Sequence, residues 1–193
     1  MLRSLRRDLH ARDTPAPEKE ASVPLVLDFD GTFVREDSLR VALKALSSGC
    51  RRTVLFSQFP PNRVELKRLA FECAPDLLNL LTVNPAVEEL ALSYVAERRQ
   101  VFLCTGAHQT LAQEVARRWG FFSDAWGSSE LLNLTGRKKA NFLIQAFGTK
   151  AFDYVGNSRR DYPVFDVALS AFKVSPDGTV ARLQDKSHLG DKQ

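Results

Sequence analysis

The sequence predicts an α/β protein: a doubly wound, Rossmann-like parallel sheet with a small helical cap inserted after the first strand. Three observations carry that prediction. Short runs of branched apolar residues alternate with helical stripes along the chain, the pattern of parallel βαβ units. The long stretch after the first run is helical in pattern and contains no convincing strand pair. Polar clusters recur where the apolar runs end, and ligands of such sheets bind beyond the carboxyl ends of the strands.

The first strand is the organising element. Pro24-Leu25-Val26-Leu27 runs into Asp28-Phe29-Asp30-Gly31-Thr32, so two carboxylates stand at alternate positions where a buried strand ends. On a continuing strand their side chains would share a face. Gly31 lets the backbone leave sharply, and Thr32 is expected to hydrogen-bond into the turn. Two crowded acids repel each other unless a cation or a proton intervenes, which suggests a divalent metal.

Residues 35–83 make up the predicted cap. Asp37 and Ser38 start a helix with Leu39, Ala42, Leu43 and Leu46 on one face, ending near Gly49. Thr53 to Phe59 forms a second segment, stopped by Pro60 and Pro61, and a third runs from Val64 to Cys73. Pro75 to Leu81 reads as one more short helical piece.

The core is expected over 24–34 and 84–183. Asn84 caps a helix with Pro85 at its first position and Val87, Leu90, Ala91 and Tyr94 on its apolar face. The strand Gln100 to Cys104 follows, and a helix with Leu111, Val115 and Trp119 on one side closes at Gly120. A short strand near Asp124 to Gly127, a helix from Lys138 to Phe147 and a strand from Ala151 to Val155 come next. A helix from Tyr162 or Pro163 to Leu169 and a last strand, Ala171 to Val174, complete the core. Residues 1–23, basic at the start and broken by Pro15 and Pro17, read as a tail, as do 184–193. Leu2, Leu5 and Leu9 would also give a short basic helix an apolar face for an anionic membrane surface.

Composition excludes several classes. Of 193 residues, 44% are hydrophobic and 26% charged, the balance of a soluble globular protein, and no apolar run reaches membrane-spanning length. The expected location is the cytoplasm, or the periphery of a membrane. The net charge of +4 is mild and its basic residues are scattered, so no nucleic acid partner is expected, whereas phosphorylated substrates would be favoured. Cys50, Cys73 and Cys104 have neither zinc spacing nor a disulfide framework and fit a reducing compartment.

Three further polar clusters follow strands. Thr105-Gly106 offers a hydroxyl and backbone N–H groups at an expected helix start, a receptor for phosphate oxygens. His108 reads as a helix-start histidine. Lys138 and Lys139 follow Asn133-Leu134-Thr135-Gly136, and a lysine there can neutralise a phosphate and a carboxylate together. Gly156-Asn157-Ser158 with Asp161 adds oxygen ligands of the kind Mg²⁺ takes. Each cluster alone reads equally well as a turn or a helix cap; four in order do not.

This order resembles the haloacid dehalogenase (HAD) superfamily, whose four motifs match Asp28-Phe29-Asp30-Gly31-Thr32, Thr105, Lys139 (or its neighbour Lys138) and the turn from Gly156 to Asp161. The stretches Thr105-Gly106-Ala107, Asn133 to Gly136 with Lys139, and Phe152 to Gly156 look most like the phosphatase-like domain often joined to UbiA-type membrane prenyltransferases. The resemblance implies a Mg²⁺-dependent phosphatase acting through an aspartyl-phosphate, with Asp28 as nucleophile and Asp30 as general acid and base. Thr105, Gly106 and Lys139 would hold the phosphoryl oxygens, and Asp28, the Asp30 carbonyl, Asn157 and Asp161 would bind the metal. The family more often has Asp at the position of Asn157, which implies weaker metal affinity here. The prenyltransferase half is absent from this sequence, so the chain is expected to work alone or with a separate partner such as a membrane prenyltransferase.

In that family the cap closes the site, which makes Arg35, Arg40, Lys44 and Arg63 candidate contacts for a second anionic group and Phe56 and Phe59 for an apolar one. The implied substrate is a phosphorylated isoprenoid or sugar lipid, or equally a soluble phosphomonoester. The alternatives are a non-catalytic accessory domain that binds a partner, favoured by Asn157, and a phosphotransferase or mutase that passes the phosphoryl group to an acceptor other than water.

Overall fold

The structure, a computed structural model, describes residues 22–47, 63–74 and 76–183. Strand β1 (Leu25–Leu27) is followed by helices α1 (Ser38–Ser47) and α2 (Arg63–Cys73) and a 3₁₀ turn at Leu77–Leu80. Then come α3 (Pro85–Ala96), β2 (Val101–His108), α4 (Gln109–Trp119), β3 (Asp124–Ser128), α5 (Arg137–Phe147) and β4 (Asp153–Gly156). A 3₁₀ turn at Arg159–Asp161, α6 (Tyr162–Phe165), β5 (Ala171–Val174) and β6 (Val180–Arg182) complete the chain.

The six strands form one sheet in the order β3-β2-β1-β4-β5-β6. Every pairing is parallel except β5 with β6. This is the α/β doubly wound architecture the sequence predicts, and β1 lies at its centre because its three residues are fully buried. Alternation along the strands sorts the core onto two faces. Leu25, Leu27, Val101 and Leu103 join one apolar cluster, to which Ala42 of α1 and Ala70 of α2 also belong. Val26, Phe102 and Cys104 join the other, beneath Leu143 of α5 and Val164 of α6. Phe33, just past the first turn, is enclosed edge-on by Trp119, Phe121 and Phe122 at 5.3, 6.0 and 5.4 Å between centroids.

The opposite, amino-terminal end of the sheet is closed by a buried polar bracket. Asp153 accepts hydrogen bonds from Tyr94 Oη (2.7 Å), Arg99 Nη2 (2.8 Å) and the Ser170 N–H (2.9 Å). The Arg99 guanidinium also donates to the Val23 carbonyl and lies 3.8 Å from the Tyr94 ring centroid.

Several boundaries depart from the sequence reading. The first strand ends at Leu27, so Asp28 and Asp30 are carried by a turn rather than by a continuing strand. The second runs on to His108, because its end pairs with Ser128 of β3 across an irregularity after Cys104. Thr105 and Gly106 therefore lie inside a strand and not at a helix start. The piece expected over 75–81 is the 3₁₀ turn, the helix after Tyr162 stops at Phe165, and β6 was not foreseen. The segment Thr53 to Phe59 lies outside the described residues. No described helix is long and apolar enough to cross a membrane.

Candidate active site

The carboxyl end of β1 places Asp28 at the floor of a cavity of about 990 Å³. The Asp28 N–H donates to Val155 O of β4 (3.0 Å), which fixes its backbone between the two central strands. Its Oδ1 accepts a hydrogen bond from Lys139 Nζ at 2.8 Å, and both side chains are buried. Lys139 stands in the first turn of α5, whereas Lys138 is exposed. The geometry thereby separates the two lysines that the sequence left open.

Lys139 Nζ also donates to Tyr154 Oη at 3.0 Å and lies 3.7 Å from Asp161 Oδ1. Tyr154 Oη in turn donates to Asp161 Oδ1 at 2.8 Å. The other oxygen of Asp161 accepts from the N–H and hydroxyl of Ser158, at 2.9 and 2.7 Å, closing a capping box over the Arg159–Asp161 turn. The strand residue Tyr154 was missed in the sequence because one tyrosine among apolar neighbours reads as packing. Nothing in the linear pattern marks its hydroxyl.

Burial pushes the Asp28 carboxyl up to about 6, with the nearby Asp161 and Asp30 charges adding and the Lys139 ammonium opposing. Desolvation likewise raises Asp30, against the hydrogen bonds that Ser38 gives it; its Oδ1 accepts the Ser38 N–H at 2.7 Å. Lys139 is held above its ordinary value: burial lowers it, but Asp28, Cys104 and Asp161 raise it more. Tyr154 is held well above the ordinary phenol range, first by burial and then by Asp161 and Asp28, so it remains a neutral donor.

The turn itself is closed by main-chain hydrogen bonds: Thr32 N to Phe29 O and Gly31 N to Glu36 O, both 3.1 Å. Because backbone groups close it, the expected Thr32 hydroxyl bond is not made; its buried Oγ1 has no hydrogen-bond partner. Gly31 has φ +70°, a conformation that favours glycine.

Asp28, Asp30, Gly106, Lys139, Asn157 and Asp161 all line the one cavity. Thr105 stands behind its wall: it is fully buried, and its Oγ1 accepts the Ala107 N–H at 3.0 Å. Gly106 O takes a hydrogen bond from Lys67 of α2 and another, at 3.0 Å, from Ser128 Oγ. Sequence reasoning missed Lys67 because nothing in a helical stripe says which strand end it will face. His108 caps α4, its side chain accepting from the Thr110 N–H. Arg35, Arg40 and Arg160 reach the cavity wall, while Lys44 does not. Phe56, Phe59 and the Arg63 side chain lie outside the described residues.

No three His, Cys, Asp or Glu side chains among the described residues form a metal cluster. The cavity lining nevertheless includes, besides Asp28, the Asp161 carboxylate and the Asn157 amide, both of which carry oxygen donors. Mg²⁺ suits such a set, since it commonly takes only one or two carboxylates and completes its shell with water and substrate phosphate. A cation at this position would favour the Asp28 carboxylate, whose charged form is opposed first by burial and then by the Asp161 and Asp30 charges.

No family model matches the chain. A curated relative, the uncharacterised protein y4nM of Sinorhizobium fredii, is 28% identical over 188 residues; the match covers 90% of this chain and 34% of the relative. The chain thus spans about a third of that protein's length. Among solved structures, a HAD family hydrolase of Salmonella enterica serovar Typhi aligns with a TM-score of 0.58 at 14% identity, over 76% of this chain and 61% of that one. The chain has the HAD-like Rossmann fold. A substrate-bound phosphoserine phosphatase shares this HAD fold at a TM-score of 0.58 and 14% identity, over 80% of this chain and 87% of its own. A phosphoserine phosphatase solved as a phospho-aspartyl intermediate analogue aligns at 0.55 and 15%, over 77% and 85%.

Proposed function

We propose that this HAD-fold chain is a phosphatase that hydrolyses a phosphomonoester through an aspartyl-phosphate on Asp28. The observation that carries the reading is the buried Lys139–Asp28 pair, 2.8 Å apart, at the floor of a cavity beyond the carboxyl ends of the central strands. Such a pair is costly to desolvate and is weak evidence for stability alone. It is well suited to keep a nucleophile ionised beside a bound anion.

In the first step an Asp28 carboxylate oxygen attacks phosphorus, and the bond from phosphorus to the ester oxygen breaks. Asp30, whose raised affinity favours the protonated acid, gives its proton to that oxygen. A water then attacks the phosphorus of the aspartyl-phosphate and passes a proton back to Asp30, and the bond to Asp28 breaks as phosphate leaves. Lys139 stabilises the phosphoryl oxygens throughout, with Gly106 on the facing wall and Thr105 fixing the Ala107 peptide behind it. Mg²⁺, when bound, supplies positive charge to the phosphoryl group; Asp28, the Asp30 carbonyl, Asp161 and Asn157 would hold it.

The substrate we favour carries a second anionic group. Arg40 and Arg160 both line the cavity and neither has an ion-pair partner among the described residues. A phosphorylated isoprenoid or sugar lipid meets this requirement when it bears a diphosphate or an acidic sugar, and so does a soluble phosphoamino acid. The subfamily resemblance supports the lipid class and an association with a prenyltransferase. The accessory-domain reading draws on Asn157, and transfer to an acceptor other than water would use the same Asp28 chemistry.

The deciding experiment measures phosphate release from an aryl phosphate and a panel of phosphomonoesters, with and without Mg²⁺, for wild type and Asp28→Asn. Metal-dependent turnover lost in the variant is expected. A folded wild type that releases nothing under any metal condition favours the accessory domain.

A further inference from the structure

The Tyr154 hydroxyl bridges two opposite charges, Lys139 and Asp161. Lys139 Nζ is 2.8 Å from Asp28 and pairs with Asp161 at the longer 3.7 Å, and the Tyr154 hydroxyl bonds both ends of that longer pair, at 3.0 Å from the lysine and 2.8 Å from Asp161. A phenol has one proton to give, and an ammonium can only donate. The chain of bonds therefore has one direction, from Lys139 to Tyr154 to Asp161.

The ring is fixed as firmly as the hydroxyl. Tyr154 is fully buried in β4 and packs edge-on against Phe165 at 5.7 Å. Gly156 makes room for the arrangement: a Cβ there would lie 2.8 Å from Asp161 Cγ and 2.9 Å from Tyr154 Cε1. Tyr154 does not line the cavity itself but bonds two residues that do, Lys139 and Asp161.

We infer that Tyr154 is a positioning residue: by bonding both groups, its hydroxyl holds Lys139 close on Asp28, keeps the Lys139–Asp161 ion pair at the longer 3.7 Å, and leaves Asp161 turned toward Ser158. The assignment rests on the phosphatase reading, but its geometry can be tested apart from it. Without the hydroxyl, Lys139 loses an acceptor and Asp161 a donor, and the shortest remedy for both is to close on each other.

The test is Tyr154→Phe, which keeps the ring. With an aryl phosphate and Mg²⁺, kcat should fall about 10- to 100-fold, the usual effect of losing a hydrogen-bonded supporting partner. KM should stay within about threefold, since phosphate contacts remain. Independently of turnover, the ¹⁵Nζ resonance of Lys139 should shift in the metal-free variant while the other lysines stay in place. An unchanged kcat in an active enzyme, or an unmoved Lys139 resonance, overturns the proposal. If the wild type proves inactive on every substrate, the phosphatase reading fails and the resonance alone decides. Should Tyr154→Phe not fold, 3-fluorotyrosine incorporation retains the hydroxyl as a weaker acceptor; the Lys139 resonance should again move, and constancy overturns the assignment.

Discussion

The Asn157 amide fills the space a side chain at Gly31 would need. A Cβ on Gly31 would stand 2.0 Å from Asn157 Nδ2, so the turn after β1 and the turn after β4 interlock through the absence of one carbon. Gly31→Ala meets both this clash and the strain of its positive φ. It should cost at least about 1 kcal/mol of stability, displace Asn157 and raise the Mg²⁺ concentration needed for half-maximal activity. Thermal melts and a metal titration of phosphate release check this; unchanged metal dependence would show that the Asn157 amide is not a ligand.

Asp28→Asn removes the proposed nucleophile but keeps the side chain's shape. Turnover should drop by at least about 10³-fold, the scale on which covalent catalysis is lost, while circular dichroism is unchanged. Lys139→Ala should be severely impaired and Lys138→Ala nearly normal, because only the first ammonium is buried against Asp28. Equal loss in both lysine variants would contradict the geometry.

The raised Asp28 pKa has a definite sign. In the metal-free fold this carboxyl titrates near 6 rather than at 3.8, so its contribution to stability is present below the unfolded value and is lost as pH rises through the folded one. A nucleophile must be charged, and kcat/KM at low Mg²⁺ should therefore fall on the acid side of about 6. Added Mg²⁺ favours the carboxylate and should move that limb to lower pH. A ¹³C titration of Asp28 with and without Mg²⁺ reads both midpoints, and a metal-free midpoint near the ordinary value would refute the prediction.

Arg99 belongs to the other end of the sheet. Arg99→Ala leaves the buried Asp153 carboxylate without its cation at 2.8 Å and frees the chain at Val23. It should cost about 2–3 kcal/mol, toward the low side for a broken buried pair because Arg99 is partly exposed. The kcat should be unaffected. A thermal melt beside an activity assay separates the two outcomes.

Much of this was legible because the relevant signals are local. Val26 and Phe102 fall on one face and Leu25 and Leu103 on the other by simple alternation, and the amphipathic helices announce themselves by spacing. Asp28, Lys139 and Asp161 were legible as strand-end polar clusters that meet in one cavity. What escaped depends on distant partners. Residues 105–108 extend β2 only because Ser128 lies beside them, and three residues of β6, none buried, follow from pairing with β5 rather than from any apolar pattern. The Tyr154 hydroxyl acquires its meaning from Lys139, 15 residues away.

Ala42 and Ala70 share one apolar cluster with Leu25 and Leu27, and this limits how the protein can be recombined. The helices between β1 and β2 are not a cassette resting on a finished sheet, because their smallest side chains complete the sheet's own interior. Grafting a different insertion at 35–83 to change substrate preference would open a seam over the central strand unless small residues were kept at these two positions. Selectivity is more safely redesigned from the arginines on the cavity wall, which contribute nothing to that interior.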